Sequence, residues 1–170
     1  MERGTTVAPK AQPLLILVCG LPGAGKTTLA RRLADRVPAV RLCPDEWMTG
    51  LGLDLFDEQA RGRLEEVLST HALELLGLGQ SVILEFGFWG REERDDMRLA
   101  ARALGAAVEL HHLTASLDEL CRRIEHRSAT DAGGTALISR AMLEEYAEQF
   151  EAPDEDERNL FDQPPASRPT

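Results

Sequence analysis

Six consecutive apolar residues, Leu14 to Cys19, run up to Gly20. An unbroken run of that length is the pattern of a parallel strand buried on both faces. Leu29, Leu33 and Val37 then recur at helical spacing until Pro38 closes the segment. Ala39 to Cys43 predicts a short second strand, and Pro44 to Phe56, with its glycines and mixed polarity, predicts a loop. From Asp57, the positions Ala60, Leu64, Val67, Leu68, His71, Leu75 and Leu78 trace one face of a long helix ending at Gly77 or Gly79. Ser81 to Phe86 predicts a third buried strand. Arg91 to Leu104 predicts a helix with Met97, Ala100, Ala101 and Leu104 on one face, and Ala107 to Leu113 a fourth strand. Ser116-Leu117-Asp118-Glu119 has the form of a capping box, opening a helix with the stripe Leu117, Leu120, Cys121 and Ile124. Ala129 to Thr135, small and polar, predicts a mobile connection, Ser139 to Phe150 a last helix, and Asn159-Leu160-Phe161 a short edge strand.

Strands and helices alternate without an internal repeat. That order predicts an α/β domain: a parallel sheet of four to five strands with helices on both faces and ligands at the carboxyl ends of the strands. The domain is expected over 13–153, between a disordered tail at 1–12 and an acidic, proline-rich tail at 154–170. A formal net charge of −10 disfavours a polyanionic partner such as nucleic acid or a membrane surface, because phosphate contacts need clustered cations. No apolar run has the length of a bilayer crossing, and Met1 to Gln12 lacks the apolar core of a signal peptide, so the default expectation is a cytoplasmic protein. Three cysteines without a CxxC pair fit a reducing compartment, with Cys19 and Cys43 expected as small buried hydrophobes.

Of 19 basic residues only Lys10 and Lys26 are lysines. Lys26 falls on the one position where a motif demands it. Gly20-Leu21-Pro22-Gly23-Ala24-Gly25-Lys26-Thr27 fits G-x-x-x-x-G-K-[ST], between a predicted strand and a predicted helix. Such a loop turns its backbone N–H groups inward around phosphates, and glycines supply the conformations this needs. The helix beginning there adds its dipole, Lys26 a point charge, and Thr27 a hydroxyl for magnesium. The nucleotide-binding set is thus Gly20, Gly23, Ala24, Gly25, Lys26, Thr27 and Thr28, and the ligand expected is ATP with Mg2+. No N-K-x-D segment for guanine occurs. The second strand runs into Cys43-Pro44-Asp45-Glu46-Trp47, so Asp45 lies where a doubly wound sheet opens beside the phosphate loop. A general base for an acceptor hydroxyl belongs there, although a turn or cap residue would look the same.

Gly20 to Thr28, Asp45-Glu46-Trp47-Met48, and Val82 to Trp89 followed by Arg91 and Arg94 resemble the AAA-type P-loop small kinases, grouped with zeta toxins, chloramphenicol phosphotransferase and phage polynucleotide kinase. The likeness spans Leu14 to Pro153. It implies a three-layer, nucleoside-kinase-like fold with a small lid, in which Asp45 is the base. It also implies that Arg123 and Arg127, four apart on one helical face, are lid arginines over the phosphates. The alternative for that pair is a solvated face bonded to Glu119 or Glu125. Glu85 ends the third strand where many P-loop proteins carry a magnesium-holding aspartate; it is one methylene longer, and the other reading is a carboxylate closing the strand end. Trp47 and Phe88 are candidates for the acceptor pocket, with packing beneath the next helix as the other reading of Phe88. Arg91 and Arg94 start a helix, an unfavourable place for cations, and so are candidates for a substrate anion. The function expected is transfer of the γ-phosphate of ATP to a small-molecule hydroxyl. An ATP-dependent switch with a protein partner and a polynucleotide 5′-hydroxyl kinase are the alternatives.

Overall fold

The computed structural model describes residues 11–130 and 138–163. Four strands, β1 (Leu14–Cys19), β2 (Ala39–Leu42), β3 (Ser81–Gly87) and β4 (Ala107–His112), form one parallel sheet in the order β2-β3-β1-β4. The helices are α1 (Lys26–Arg36), α2 (Pro44–Gly50), α3 (Glu58–Gly77), α4 (Arg91–Ala103), α5 (Leu117–Thr130), α6 (Arg140–Gln149) and α7 (Glu155–Arg158).

The sheet is central because β1 is apolar on both faces. Ile16 and Val18 pack with Ala30 and Leu33 of α1, whereas Leu15, Leu17 and Cys19 pack with Leu68, Leu76, Met97 and Ala101 of α3 and α4. Three layers result. Burial pushes the Cys19 thiol up to about 12 and the Cys43 thiol to about 11, so both behave as small hydrophobes. A third cluster, Ala24, Leu120, Ile124 and Leu143, seats the α5–α6 pair against the loop after β1.

Three expectations are corrected. Pro44 to Phe56 is not all loop: Pro44 takes the first helical position of α2, and Asp45 and Glu46 in the first turn complement its dipole. The inward row of α3 steps by four through Ala60, the partly buried Leu64, Leu68, Ala72 and Leu76, leaving Val67 and Leu78 64% and 67% exposed. Asn159-Leu160-Phe161 forms no strand. Asp154 caps α7 by accepting from the Glu157 N–H, and Phe161 drops into the core. Beyond it the Asp162 N–H donates to the Val108 carbonyl, and the Val108 N–H to the Asp162 carboxylate, both at 2.7 Å. Residues 154–163, read from sequence as the start of a tail, therefore close the outer edge of β4. The expected mobile stretch Ala129 to Thr135 lies largely outside the described residues, as does most of the expected tail at 1–12.

Candidate active site

The loop between β1 and α1 bends through three glycines at positive φ: Gly20 (143°), Gly23 (82°) and Gly25 (99°). Gly20 has a second constraint, since a Cβ there would sit 2.6 Å from the Leu113 carbonyl oxygen. Its N–H donates to Gly87 O at 3.2 Å, which ties the loop to the end of β3. The α1 N-terminus carries no side-chain cap and no acidic residue in its first turn, which leaves its positive dipole end without a counter-charge from its own helix.

Lys26 Nζ curls back over this loop, donating to Gly20 O at 2.8 Å and Leu21 O at 3.0 Å. Burial pulls its pKa down to about 8; the charges of Asp45 and Glu85 oppose that, and Arg127 reinforces it. Two carboxylates and a guanidinium from three other elements therefore share one field with the Lys26 ammonium. Arg123, one turn before Arg127 on α5, brings Nη1 within 3.5 Å of Gly23 O and Ala24 O while its Nε bonds Glu119 at 2.5 Å. It is both beside the phosphate loop and paired on its own helix. Thr27 is half-buried and Thr28 exposed in the first turn of α1.

Asp45 is on the open side of α2, its side chain 64% exposed, and its Oδ1 accepts from Arg61 Nη2 at 2.7 Å. Trp47 is likewise exposed. Glu85 is buried and paired with Arg41 Nη1, and the same guanidinium reaches Glu46 through Nη2 at 2.6 Å. Glu85 therefore faces the site with its charge already balanced, a state suited to holding a metal through water rather than by direct ligation. Among the described residues no cluster of three or more His, Cys, Asp or Glu stands ready for a metal by itself.

Two substrate-contact candidates are corrected. Arg94 is fully buried: Nε and Nη2 meet Glu157 at 2.5 and 2.9 Å, and Nη1 donates to Phe88 O at 2.8 Å. The anion that makes a cation tolerable in the first turn of α4 is thus Glu157 from α7. Phe88 is also buried, stacked on Phe86 at 5.3 Å, with its backbone at φ 47°. Arg91 stays at the surface against Asp95 and Asp154, and its N–H donates to Glu151 at 2.8 Å.

The sequence reading missed Arg41, Arg61 and Glu65. A lone arginine inside the apolar β2, and an i,i+4 Arg61–Glu65 pair, were the available signals. Burial raises the Glu65 pKa to about 7; Arg61 lowers it, and Glu93 and Asp45 raise it further. A carboxyl raised from 4.5 in the unfolded chain adds stability that is complete below 4.5 and lost as pH rises through 7. Because the side chain keeps some solvent contact, Glu65→Gln is expected to gain only about 1–2 kcal/mol at pH 8 and nothing at pH 4.5. Urea denaturation at the two pH values measures this, and an equal effect at both contradicts it.

Residues 15–153 match the AAA domain family. The chain belongs to that family, within its P-loop small-kinase group. The uncharacterized protein Rv2004c of Mycobacterium tuberculosis is 32% identical over 151 residues, which cover 79% of this chain and 30% of that protein. The chain thus spans about a third of the length of the curated relatives it matches. Among solved structures, a candidate kinase of Chloroflexus aurantiacus superposes with a TM-score of 0.68 at 27% identity, covering 84% of this chain and 82% of that one. A gluconokinase of Sinorhizobium meliloti shares the fold at TM-score 0.59 and 22% identity, covering 86% and 79%. So does a chain of the Pnkp1/Rnl/Hen1 RNA repair complex, at 0.69 and 19%, covering 95% of this chain and 49% of that one.

No helix among the described residues is long and apolar enough to cross a membrane. The sheet, the phosphate loop and the family together give a kinase-like P-loop protein. The acceptor is a separate question.

Proposed function

We propose that the protein transfers the γ-phosphate of ATP, taken with magnesium, to a hydroxyl of a small molecule, in the cytoplasm. The observation that carries this reading is the convergence of Lys26, Asp45 and Glu85 at the carboxyl ends of β1, β2 and β3, close enough for both carboxylates to shift the lysine. The Gly20–Thr28 loop would cradle the phosphates, with Lys26 leaving its carbonyl partners for the β- and γ-oxygens. Thr27 would ligate the nucleotide's magnesium and Glu85 would hold it through water. Asp45 would take the acceptor proton as the acceptor oxygen bonds to γ-phosphorus and the bond to the β-phosphate oxygen breaks, giving ADP and a phosphoester. Arg123 and Arg127 would balance the charge that builds up in transfer, and Trp47 and Arg91 would contact the acceptor.

Support comes from the candidate kinase and the gluconokinase among the structural neighbours, the second a small-molecule precedent on this fold. The RNA repair neighbour keeps a 5′-hydroxyl oligonucleotide as the second reading, against which the charge of −10 argues. The test is transfer from labelled ATP·Mg to pooled sugars, nucleosides, antibiotics and a 5′-hydroxyl oligonucleotide, with Lys26→Ala beside wild type. A labelled small molecule made only by wild type supports the proposal; a labelled oligonucleotide moves the reading to the alternative. Free phosphate alone points to an ATPase switch, and undiminished transfer by Lys26→Ala removes the phosphate loop from the mechanism.

A pH dependence follows from the lysine. Phosphates favour the charged amine, whose pKa without nucleotide is about 8. Binding above pH 8 should therefore take up a proton, and ATP affinity should fall by up to about tenfold per pH unit there while staying level between pH 6 and 7. Calorimetry in buffers of different ionisation enthalpy reads the proton directly; no uptake at pH 9 would contradict the assignment.

A further inference from the structure

We propose that Arg61 is a positioning residue for phosphoryl transfer: it fixes one oxygen of Asp45 so that the other faces the acceptor hydroxyl. The inference rests on the proposed role of Asp45 and adds the group that makes that role workable.

Asp45 is poorly held by its own element. It lies in the first turn of a seven-residue helix whose N-cap, Cys43, makes no side-chain bond, and its side chain is mostly in solvent. A carboxylate so placed samples several rotamers, and a base must sit within hydrogen-bond reach of its proton. The restraint comes from α3. Arg61 Nη2 donates to Asp45 Oδ1 at 2.7 Å and to the Leu55 carbonyl at 3.2 Å, and its Nη1 lies 3.9 Å from Glu65 Oε1. The guanidinium is thus anchored by its own helix and by the α2–α3 connection before it touches Asp45. One nitrogen, Nη2, holds Asp45 Oδ1 while also donating to the Leu55 carbonyl, and this contact narrows the rotamers open to the carboxylate. Oδ1 is committed; Oδ2 has no hydrogen-bond partner among the described residues and is the oxygen left for an incoming hydroxyl. Exposed ion pairs of this kind contribute little to stability, so a structural role alone gives no reason for this three-way arrangement.

The experiment compares Arg61→Gln and Arg61→Lys, each in wild type and in Asp45→Asn, using ATP·Mg and whichever panel compound wild type labels. Arg61→Gln is expected to lower kcat by about 10- to 100-fold with the KM for ATP unchanged, since displacement of a reacting group costs rate rather than nucleotide binding. Arg61→Lys should recover only part, keeping the charge without the fork. In Asp45→Asn neither change should cost anything further, because the two residues act as one unit. Thermal melting of Arg61→Gln should match wild type. Independently of any acceptor, the Arg61 guanidinium N–H signals should show hindered rotation by NMR in wild type and lose it in Asp45→Ala, which removes the acceptor oxygen altogether. Wild-type kcat in Arg61→Gln, or a freely rotating guanidinium in wild type, overturns the proposal while leaving Asp45 as base. Wild-type turnover in Asp45→Asn overturns both.

Discussion

Replacing Glu157 with alanine is expected to cost about 3–5 kcal/mol of folding stability, a large share of what a single domain possesses. The cost comes from what remains rather than from the contact removed. Arg94 is fully buried, and two of its three bonded nitrogens face Glu157; without that carboxylate a guanidinium stays in the core with only the Phe88 carbonyl opposite. A paired apolar replacement, Arg94→Leu with Glu157→Leu, should recover much of the loss, since buried ion pairs seldom surpass well-packed hydrocarbon. Recovery will be incomplete because Nη1 also holds the turn at Phe88. Urea denaturation of the three variants decides it: a loss under about 1 kcal/mol in Glu157→Ala would mean that water reaches Arg94.

Asp45→Asn is expected to lower kcat for phosphoryl transfer by about 10²- to 10⁴-fold while ATP binding changes little. The amide is nearly isosteric and can still accept from Arg61, so geometry is largely kept and only the proton acceptor is lost. That corresponds to about 3–5 kcal/mol on the barrier. Single-turnover transfer together with an ATP titration separates the two effects. Equal losses in binding and turnover would place Asp45 with the nucleotide instead of the acceptor.

The strands were legible because β1 is an unbroken apolar run and β3 carries Val82-Ile83-Leu84 before Glu85, and such runs are the signature of strands buried on both faces. The phosphate loop was legible because glycine at positive φ is a local demand that sequence records directly. Partnerships between distant residues were not. Arg94 and Glu157 lie 63 positions apart, and nothing near Arg94 in the chain names its anion. Arg61 and Asp45 are 16 apart on two helices, one of which lies in a segment whose glycine, proline and mixed polarity are also the pattern of a loop. Local rules read elements; they do not read which charge each element will meet.

The stretch that resembles other proteins and the stretch that folds are of different lengths. The family match stops at residue 153, yet the carboxylate that neutralises the core arginine is at 157 and the aromatic ring that seals the sheet's flank is at 161. A fragment cut where the likeness ends would carry every residue of the phosphate loop and still leave the interior with an unanswered charge. The last ten described residues are part of the domain's foundation, and boundaries for expressing or transplanting it belong after Asp162.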